Sequence, residues 1–177
     1  PPRSTLFPYT TLFRSVIRCG QAPAQAFHNE IRNLTISIGR GNPRAEGLRF
    51  MSNNTGCVRQ VRIISEDGLG YAGLNMAFSN ENGPLLISDL YVKGFEIGIV
   101  TGLFINSQTL ENITLEGQKK YGISNGGQPL SIRNLNSTNA VPALFSTTNS
   151  LTVLAKATLN GTGPASDTSA IINTAGS

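Results

Sequence analysis

A short sequence phrase occurs five times along the chain, and its spacing constrains the fold more than any other feature. Each copy places a carboxamide or carboxylate residue directly before an aliphatic one. The aliphatic members are Leu34, Val61, Leu90, Ile113 and Leu135, which lie 27, 29, 23 and 22 residues apart. Periods in the twenties are typical of solenoids, in which one coil stacks on the next.

A second set of positions advances along the chain with the first. In it a glycine or alanine precedes an aliphatic residue, and the pairs are Gly47-Leu48, Gly73-Leu74, Gly98-Ile99, Gly122-Ile123 and Ala143-Leu144. A third aliphatic set contains Val58, Leu110 and Ile132. The period continues after Asn139, where Lys156-Ala157 replaces the amide pair and a strand is expected from Ala170. Because equivalent residues of stacked coils lie over one another, the sequence predicts an all-β solenoid of five to six coils.

The polar member of the first phrase is expected at a turn between two strands. Its members are Asn33, Gln60, Asp89, Asn112 and Asn134. Side-chain amides stacked in this way bond to one another and to neighbouring backbone groups. Asp89 differs, because an ionised carboxylate accepts hydrogen bonds but donates none. We interpret it as a local acceptor for Gln60 or Asn112, with a catalytic role as the alternative.

The two ends of the chain differ from its repeating middle. Residues 5–15 match the translation of a sequencing-library adapter, so we predict that 1–15 is a non-native segment. Residues 16–30 are a lead-in with an Ala-rich piece, Ala22 to Phe27, that is expected to form a turn of helix at most. Residues 31–177 are the predicted β-helix domain. We expect a fragment, with an upstream region lost and the C-terminus truncated.

Composition excludes several classes of function. Charged residues make up 14% of the chain and the formal net charge is +4. No basic stripe interleaved with aromatic residues is present, which argues against nucleic-acid binding. No apolar run approaches the roughly 18 residues that a membrane span needs. Cys19 and Cys57 are the only cysteines. A bridge between them is possible, but two isolated thiols make no metal site.

Several phrases resemble a known superfamily. They are Gly41-Asn42-Pro43-Arg44-Ala45, Leu48-Arg49-Phe50-Met51, Gly83-Pro84-Leu85-Leu86, Gly94-Phe95-Glu96-Ile97-Gly98-Ile99, Gln108 to Leu115 and Asn139-Ala140-Val141-Pro142-Ala143. Together with the period and the amide column, they are similar to bacterial proteins of the pectate-lyase-like superfamily. The resemblance implies a right-handed, single-stranded parallel β-helix. It also implies a secreted or cell-surface protein that acts on, or holds, an acidic polysaccharide as its partner.

The catalytic signatures of such enzymes are incomplete in this chain. Polygalacturonase-type hydrolases carry Asn-Thr-Asp, Asp-Asp and Gly-His-Gly phrases, and none occurs here. Pectate lyases hold Ca²⁺ with several carboxylates and use Arg or Lys as a base. No tight acidic cluster is visible, although stacking of coils can assemble one. The metal requirement, any cofactor and the oligomeric state stay open.

Three residues are the candidate catalytic set: Asp67, Glu96 and Lys120. Glu96 and Lys120 each precede their column glycine by two residues, so stacking brings them together. The alternative is an ordinary solvated ion pair, as for Lys93 and Glu116, which align in the same way. Asp67 lies in a variable loop, where the alternative is an acidic turn with glycine at positive φ.

Two functions stay open at this level. The first is a carbohydrate-active β-helix related to polyuronide lyases or hydrolases. The second is a non-catalytic module that binds glycan or serves an extracellular structural role. His28, the only histidine, has no Ser or Cys partner in the sequence pattern, so we do not place it in the candidate set.

Overall fold

The computed structural model describes residues 14–20, 22, 25–79, 81–102, 106–147, 150–164 and 168–174. Within these ranges the chain is all-β and contains no helix. Its strands fall into two parallel sheets, A and B. Sheet A consists of Ser15–Cys19 (β1), Glu46–Phe50 (β3), Ala72–Asn75 (β5), Ile97–Thr101 (β7), Tyr121–Asn125 (β9), Leu144–Ser146 (β11) and Ile171–Asn173 (β13). Sheet B consists of Glu30–Ser37 (β2), Asn53–Ile64 (β4), Gly83–Lys93 (β6), Gln108–Glu116 (β8), Leu130–Asn139 (β10) and Thr152–Gly161 (β12).

The chain alternates between the two sheets, and each strand pairs with strands one coil away. Sheet A runs in the order β1-β3-β5-β7-β9-β11-β13 and sheet B in the order β2-β4-β6-β8-β10-β12. This arrangement is a parallel β-solenoid of about six turns, as the repeat predicted. The three aliphatic columns stack in register, for example Leu48 on Leu74 and Leu74 on Ile99.

Every strand of sheet B bends at one residue, and that residue is the polar member of the phrase. The six bending residues have left-handed φ values of 54–61°, and they are Asn33, Gln60, Asp89, Asn112, Asn134 and Lys156. Strand pairing skips this position, since Arg32 pairs with Arg59 and Leu34 with Val61. Asparagine and aspartate tolerate this backbone region better than most residues. The predicted turn, including Lys156 in the sixth coil, is confirmed.

Three of the side chains at this bend, those of Asp89, Asn112 and Asn134, form a hydrogen-bonded ladder. Asn112 Nδ2 donates to Asp89 Oδ1 at 2.9 Å, and Asn134 Nδ2 donates to Asn112 Oδ1 at 2.8 Å. Each amide therefore donates towards the N-terminal end of the solenoid. Asp89 receives the last of these bonds, and a carboxylate suits that place because it accepts without donating. The interpretation of Asp89 as a local acceptor is confirmed for Asn112.

We expect Asn112→Ala to lower the free energy of unfolding by about 2 kcal/mol. Alanine at φ 54° is strained by roughly 1–2 kcal/mol, and the two ladder bonds of Asn112 are also lost. Asn136→Ala is the matched control, because Asn136 lies in the next coil outside the bend and pairs with Thr114. It should change stability by less than about 0.5 kcal/mol. Urea denaturation of both variants tests this, and equal losses would contradict it.

The core of the solenoid is a continuous stack of aliphatic side chains between the sheets. Val61, Leu90, Ile113 and Leu135 are buried, whereas Leu34, at the head of the same column, is 40% exposed. The difference arises because Leu34 lies on β2, the first strand of sheet B, which has a sheet neighbour on one side only. Burial of each such side chain contributes roughly 1.5–3 kcal/mol.

The lead-in joins the solenoid directly. Its strand β1 pairs with β3, with Ile17 beside Leu48. The described residues between 22 and 27 form no helix, and Phe27 instead makes a parallel bridge with Asn53. The expected helical turn is therefore wrong for these residues, while Pro23 and Ala24 lie outside the described part. Most of the adapter-like segment, residues 1–13, also lies outside it. Cys19 and Cys57 are free thiols on different sheets.

Candidate functional site

The candidate residues lie on the edge where the chain passes from sheet B to sheet A. Loops of successive coils stack there through backbone hydrogen bonds. Glu96 N donates to Gly70 O at 2.7 Å, and Lys120 N donates to Glu96 O at 2.8 Å. Asp67 belongs to the loop that contains Gly70, so the three candidates come from three successive coils along one edge.

Glu96 and Lys120 meet, as the column spacing predicted. Lys120 Nζ lies 3.4 Å from Glu96 Oε1, and both side chains are about half exposed. An exposed pair of this kind contributes little to stability, about 0–1 kcal/mol. It does place an ammonium group and a carboxylate side by side in contact with solvent.

The Asp67 carboxylate is held by hydrogen bonds from its own loop and from Gly41 in the preceding coil. Its carboxylate accepts hydrogen bonds from Gly41 N at 2.6 Å, Leu69 N at 3.0 Å and Ser65 Oγ at 3.2 Å. The backbone N–H groups of Gly41 and Leu69 lower the pKa of Asp67 from its ordinary value. Within the described ranges no ion pair or hydrogen bond joins it to Glu96 or Lys120. With Gly68 at φ 70°, these bonds describe an acidic turn.

An apolar strip lies on the outer face of sheet A beside the Glu96–Lys120 pair. Tyr121 and Phe145 stack with ring centroids 4.3 Å apart and an interplanar angle of 8°. Lys120 Nζ lies 5.8 Å from the Tyr121 centroid. A small cluster outside the main core continues the strip towards β5, and its buried members are Ala72, Ile97 and Val100. Sequence reasoning missed this strip, because Tyr121 and Phe145 belong to different positions of the repeat.

A second polar cluster lies on the outer face of sheet B. Glu116 accepts a hydrogen bond from Tyr91 Oη at 2.7 Å and pairs with Lys93 Nζ at 2.9 Å. The bonds from Tyr91 and Lys93 lower the pKa of Glu116, and partial burial together with the bond to Glu116 raises the pKa of Tyr91. Arg62 lies 4.2 Å above the Tyr91 ring. The predicted Lys93–Glu116 alignment is confirmed. Arg62 and Tyr91 each follow an aliphatic anchor by one residue and pair in register. The repeat therefore contained the signal from which their contact could have been predicted.

His28 has a hydroxyl partner that the sequence pattern did not reveal. Thr55 Oγ1 and His28 Nδ1 are 2.7 Å apart, and both side chains are exposed. Both residues have positive φ, 55° for His28 and 80° for Thr55. The pairing of β4 with β6 shifts register between Asn53 and Gly56, the stretch that contains Thr55. No third group that would orient the imidazole contacts it within the described residues.

Across the described ranges, no group of three or more His, Cys, Asp or Glu side chains is placed to hold a metal ion. In the same ranges no helix has the length and apolar character of a membrane span.

Comparisons with protein-family models, curated proteins and solved structures found no match. The parallel β-solenoid is consistent with the fold that the resemblance implies, and no family match confirms membership of the pectate-lyase-like superfamily.

Proposed function

We propose that this chain is a carbohydrate-active β-solenoid that binds an acidic polysaccharide on the outer face of sheet A. The observation that supports this is the position of Lys120, beside the half-buried aromatic strip of Tyr121 and Phe145. A uronic acid residue presents a carboxylate and an apolar C–H face. An ammonium group next to an apolar strip matches both features. The proposal includes relationship to the pectate-lyase-like superfamily and a secreted or cell-surface location.

Turnover is a second candidate, favoured by the 3.4 Å approach of Lys120 to Glu96. In a β-elimination, Lys120 would neutralise the substrate carboxylate and Glu96 would take the proton from the adjacent carbon. The C–O bond to the leaving sugar would then break, the leaving oxygen would take a proton from water, and an unsaturated uronate would remain. A paired ammonium group has no lone pair, so Lys120 is suited to neutralisation rather than to proton abstraction. Asp67 stays a predicted member of this site, one coil away.

We expect Lys120→Gln to weaken binding of polygalacturonate about threefold to tenfold at low salt, because one charge-assisted contact is lost. Lys93→Gln is the matched control. It also removes an exposed lysine from an ion pair with a glutamate, but on the outer face of sheet B. Isothermal titration calorimetry of the whole chain with polygalacturonate, alginate and a neutral glucan measures the effect. Equal weakening by both variants would indicate nonspecific charge attraction instead.

The same samples separate binding from turnover. Ultraviolet absorbance of unsaturated uronate, followed with pectin, alginate and rhamnogalacturonan, reports β-elimination directly. A signal that disappears in Glu96→Gln and Lys120→Gln but persists in Lys93→Gln supports a lyase. Binding without a signal favours the non-catalytic module. If the protein binds no acidic polysaccharide, the proposal is wrong.

A further inference from the structure

Two arginines lie directly opposite each other on the outer face of sheet A, at the end of the sheet formed by β1 and β3. Arg18 on β1 pairs in register with Arg49 on β3. Like charges placed directly opposite on neighbouring strands repel each other and destabilise a sheet. Both guanidinium groups also approach one aromatic ring, with 5.7 Å for Arg18 and 4.5 Å for Arg49 to the centroid of Phe78. This convergence of positive charge needs a compensating anion.

Glu46 supplies part of that compensation. Its side chain is 1% exposed, its Oε1 accepts a hydrogen bond from Asn75 Nδ2 at 3.0 Å, and its Oε2 lies 2.8 Å from Arg49 Nε. Within the described part of the chain, neither Glu46 Oε2 nor Arg49 Nε makes a hydrogen bond, so their contact is electrostatic. Arg14 Nε, in the segment predicted to be non-native, lies 3.9 Å from Glu46 Oε1. The buried carboxylate therefore holds the Nε side of Arg49.

Arg18 has no such carboxylate. Its one contact with a protein oxygen in the described ranges is a hydrogen bond from Nε to Gly20 O at 3.3 Å. Its side chain is exposed, whereas Arg49 is mostly buried. Burial lowers the pKa of Arg49 from its ordinary value, against the opposite effect of Glu46. The guanidinium group of Arg49 is therefore fixed and partly dehydrated, whereas that of Arg18 is exposed beside it.

We propose that Arg18, Arg49 and Phe78 form an oxyanion clamp that takes a carboxylate or sulfate group of an acidic glycan. Planar guanidinium groups bind such oxyanions through paired N–H donors, and Glu46 acts as a positioning residue for Arg49.

The inference rests on the proposed function, because the clamp lies on the outer face of sheet A and Lys120 directly precedes β9 of that sheet. Three strand steps separate β3 from β9, or about 14 Å at about 4.8 Å per step. Arg49 is in register with Ser124 of β9 through Asn75 and Val100, and Lys120 lies four residues before Ser124, or about 13 Å to the side at about 3.3 Å per residue. A polymer that contacts both must therefore cross sheet A obliquely.

Arg18→Gln is the first test, because Arg18 is exposed and its loss leaves the Glu46–Arg49 contact in place. We expect about tenfold weaker binding of polygalacturonate and of dextran sulfate. Arg133→Gln is the control, since Arg133 is an exposed arginine on sheet B that lies 3.9 Å from Glu111. It should leave affinity within about twofold. Equal losses in the two variants would overturn the clamp.

Arg49→Lys is the second test, since it keeps the charge beside Glu46 but removes the planar fork. We expect weaker binding with an unchanged thermal unfolding midpoint, and full affinity would overturn the clamp. The source of the oxyanion follows from the ligands: preference for polygalacturonate identifies a carboxylate, and preference for dextran sulfate a sulfate ester. Inorganic sulfate that binds as tightly as either polymer would overturn the glycan assignment.

Failure of the clamp is distinguishable from failure of the proposed function. If wild-type protein binds polygalacturonate and Lys120→Gln weakens binding while Arg18→Gln does not, the proposed function stands and the clamp is wrong. If wild-type protein binds no acidic polymer, both are wrong.

Discussion

Replacing Leu90 by alanine is expected to destabilise the solenoid by about 2–5 kcal/mol, because it leaves a cavity at the centre of the core. Leu90 is 1% exposed and stacks between Val61 and Ile113 of the neighbouring coils. These neighbours are themselves buried in packed strands, so they can close the cavity only partially. Chemical denaturation with fluorescence or circular dichroism measures the loss.

Leu34→Ala is the control for this prediction, since Leu34 is the same residue at the same position of the repeat. It is 40% exposed, so its truncation should cost only about 1 kcal/mol. A loss at Leu34 as large as the loss at Leu90 would mean that burial by neighbouring coils does not set the energy of this column. The comparison also shows how strongly one coil depends on the coils beside it, because each coil of a solenoid contacts mainly its neighbours.

The repeat made the fold predictable for a physical reason. Stacked coils require the same side-chain shape at the same place, so one aliphatic column and one turn residue recur in the sequence. Lys156 illustrates this, because its place in the bend followed from spacing alone although its side chain is no amide. The exposure of Leu34 did not follow, since it depends on which strand lies first in the sheet.

The candidate site was predictable only where both partners occupy equivalent positions. Glu96 and Lys120 each precede the column glycine by two residues, and they form the expected pair. The contact of Tyr121 with Phe145 joins two different positions, so no column predicts it. The contact of Glu46 with Arg49 was not predictable either, because it depends on side-chain burial on the outer face of sheet A.

Gly73→Ala is expected to destabilise the protein by about 3 kcal/mol, because the added carbon has no space. An ideal Cβ at Gly73 would lie 2.3 Å from Val92 Cγ1 and 2.8 Å from the carbonyl oxygen of Gly98. Val92 is buried, and Gly98 is backbone of the adjacent coil, so neither can move without disturbing the sheet. The four glycines of this column thus let sheet A approach the core side chains of sheet B.

Gly161→Ala provides the control, since no atom lies within 4 Å of its ideal Cβ and its φ is not left-handed. It should be neutral or stabilising by about 0.5 kcal/mol. Both variants are compared by thermal and denaturant unfolding. A small effect at Gly73 would contradict the steric explanation of the glycine column.

A double-mutant cycle separates the two clashes at Gly73. Val92→Ala alone should cost about 2 kcal/mol through the lost methyl groups. In Gly73→Ala/Val92→Ala the new methyl group occupies part of the vacated space, so the combined loss should be smaller than the sum of the single losses. The remaining penalty measures the approach to the Gly98 carbonyl oxygen, which no side-chain change relieves. Strict additivity would show that Val92 is not the group that excludes a side chain here.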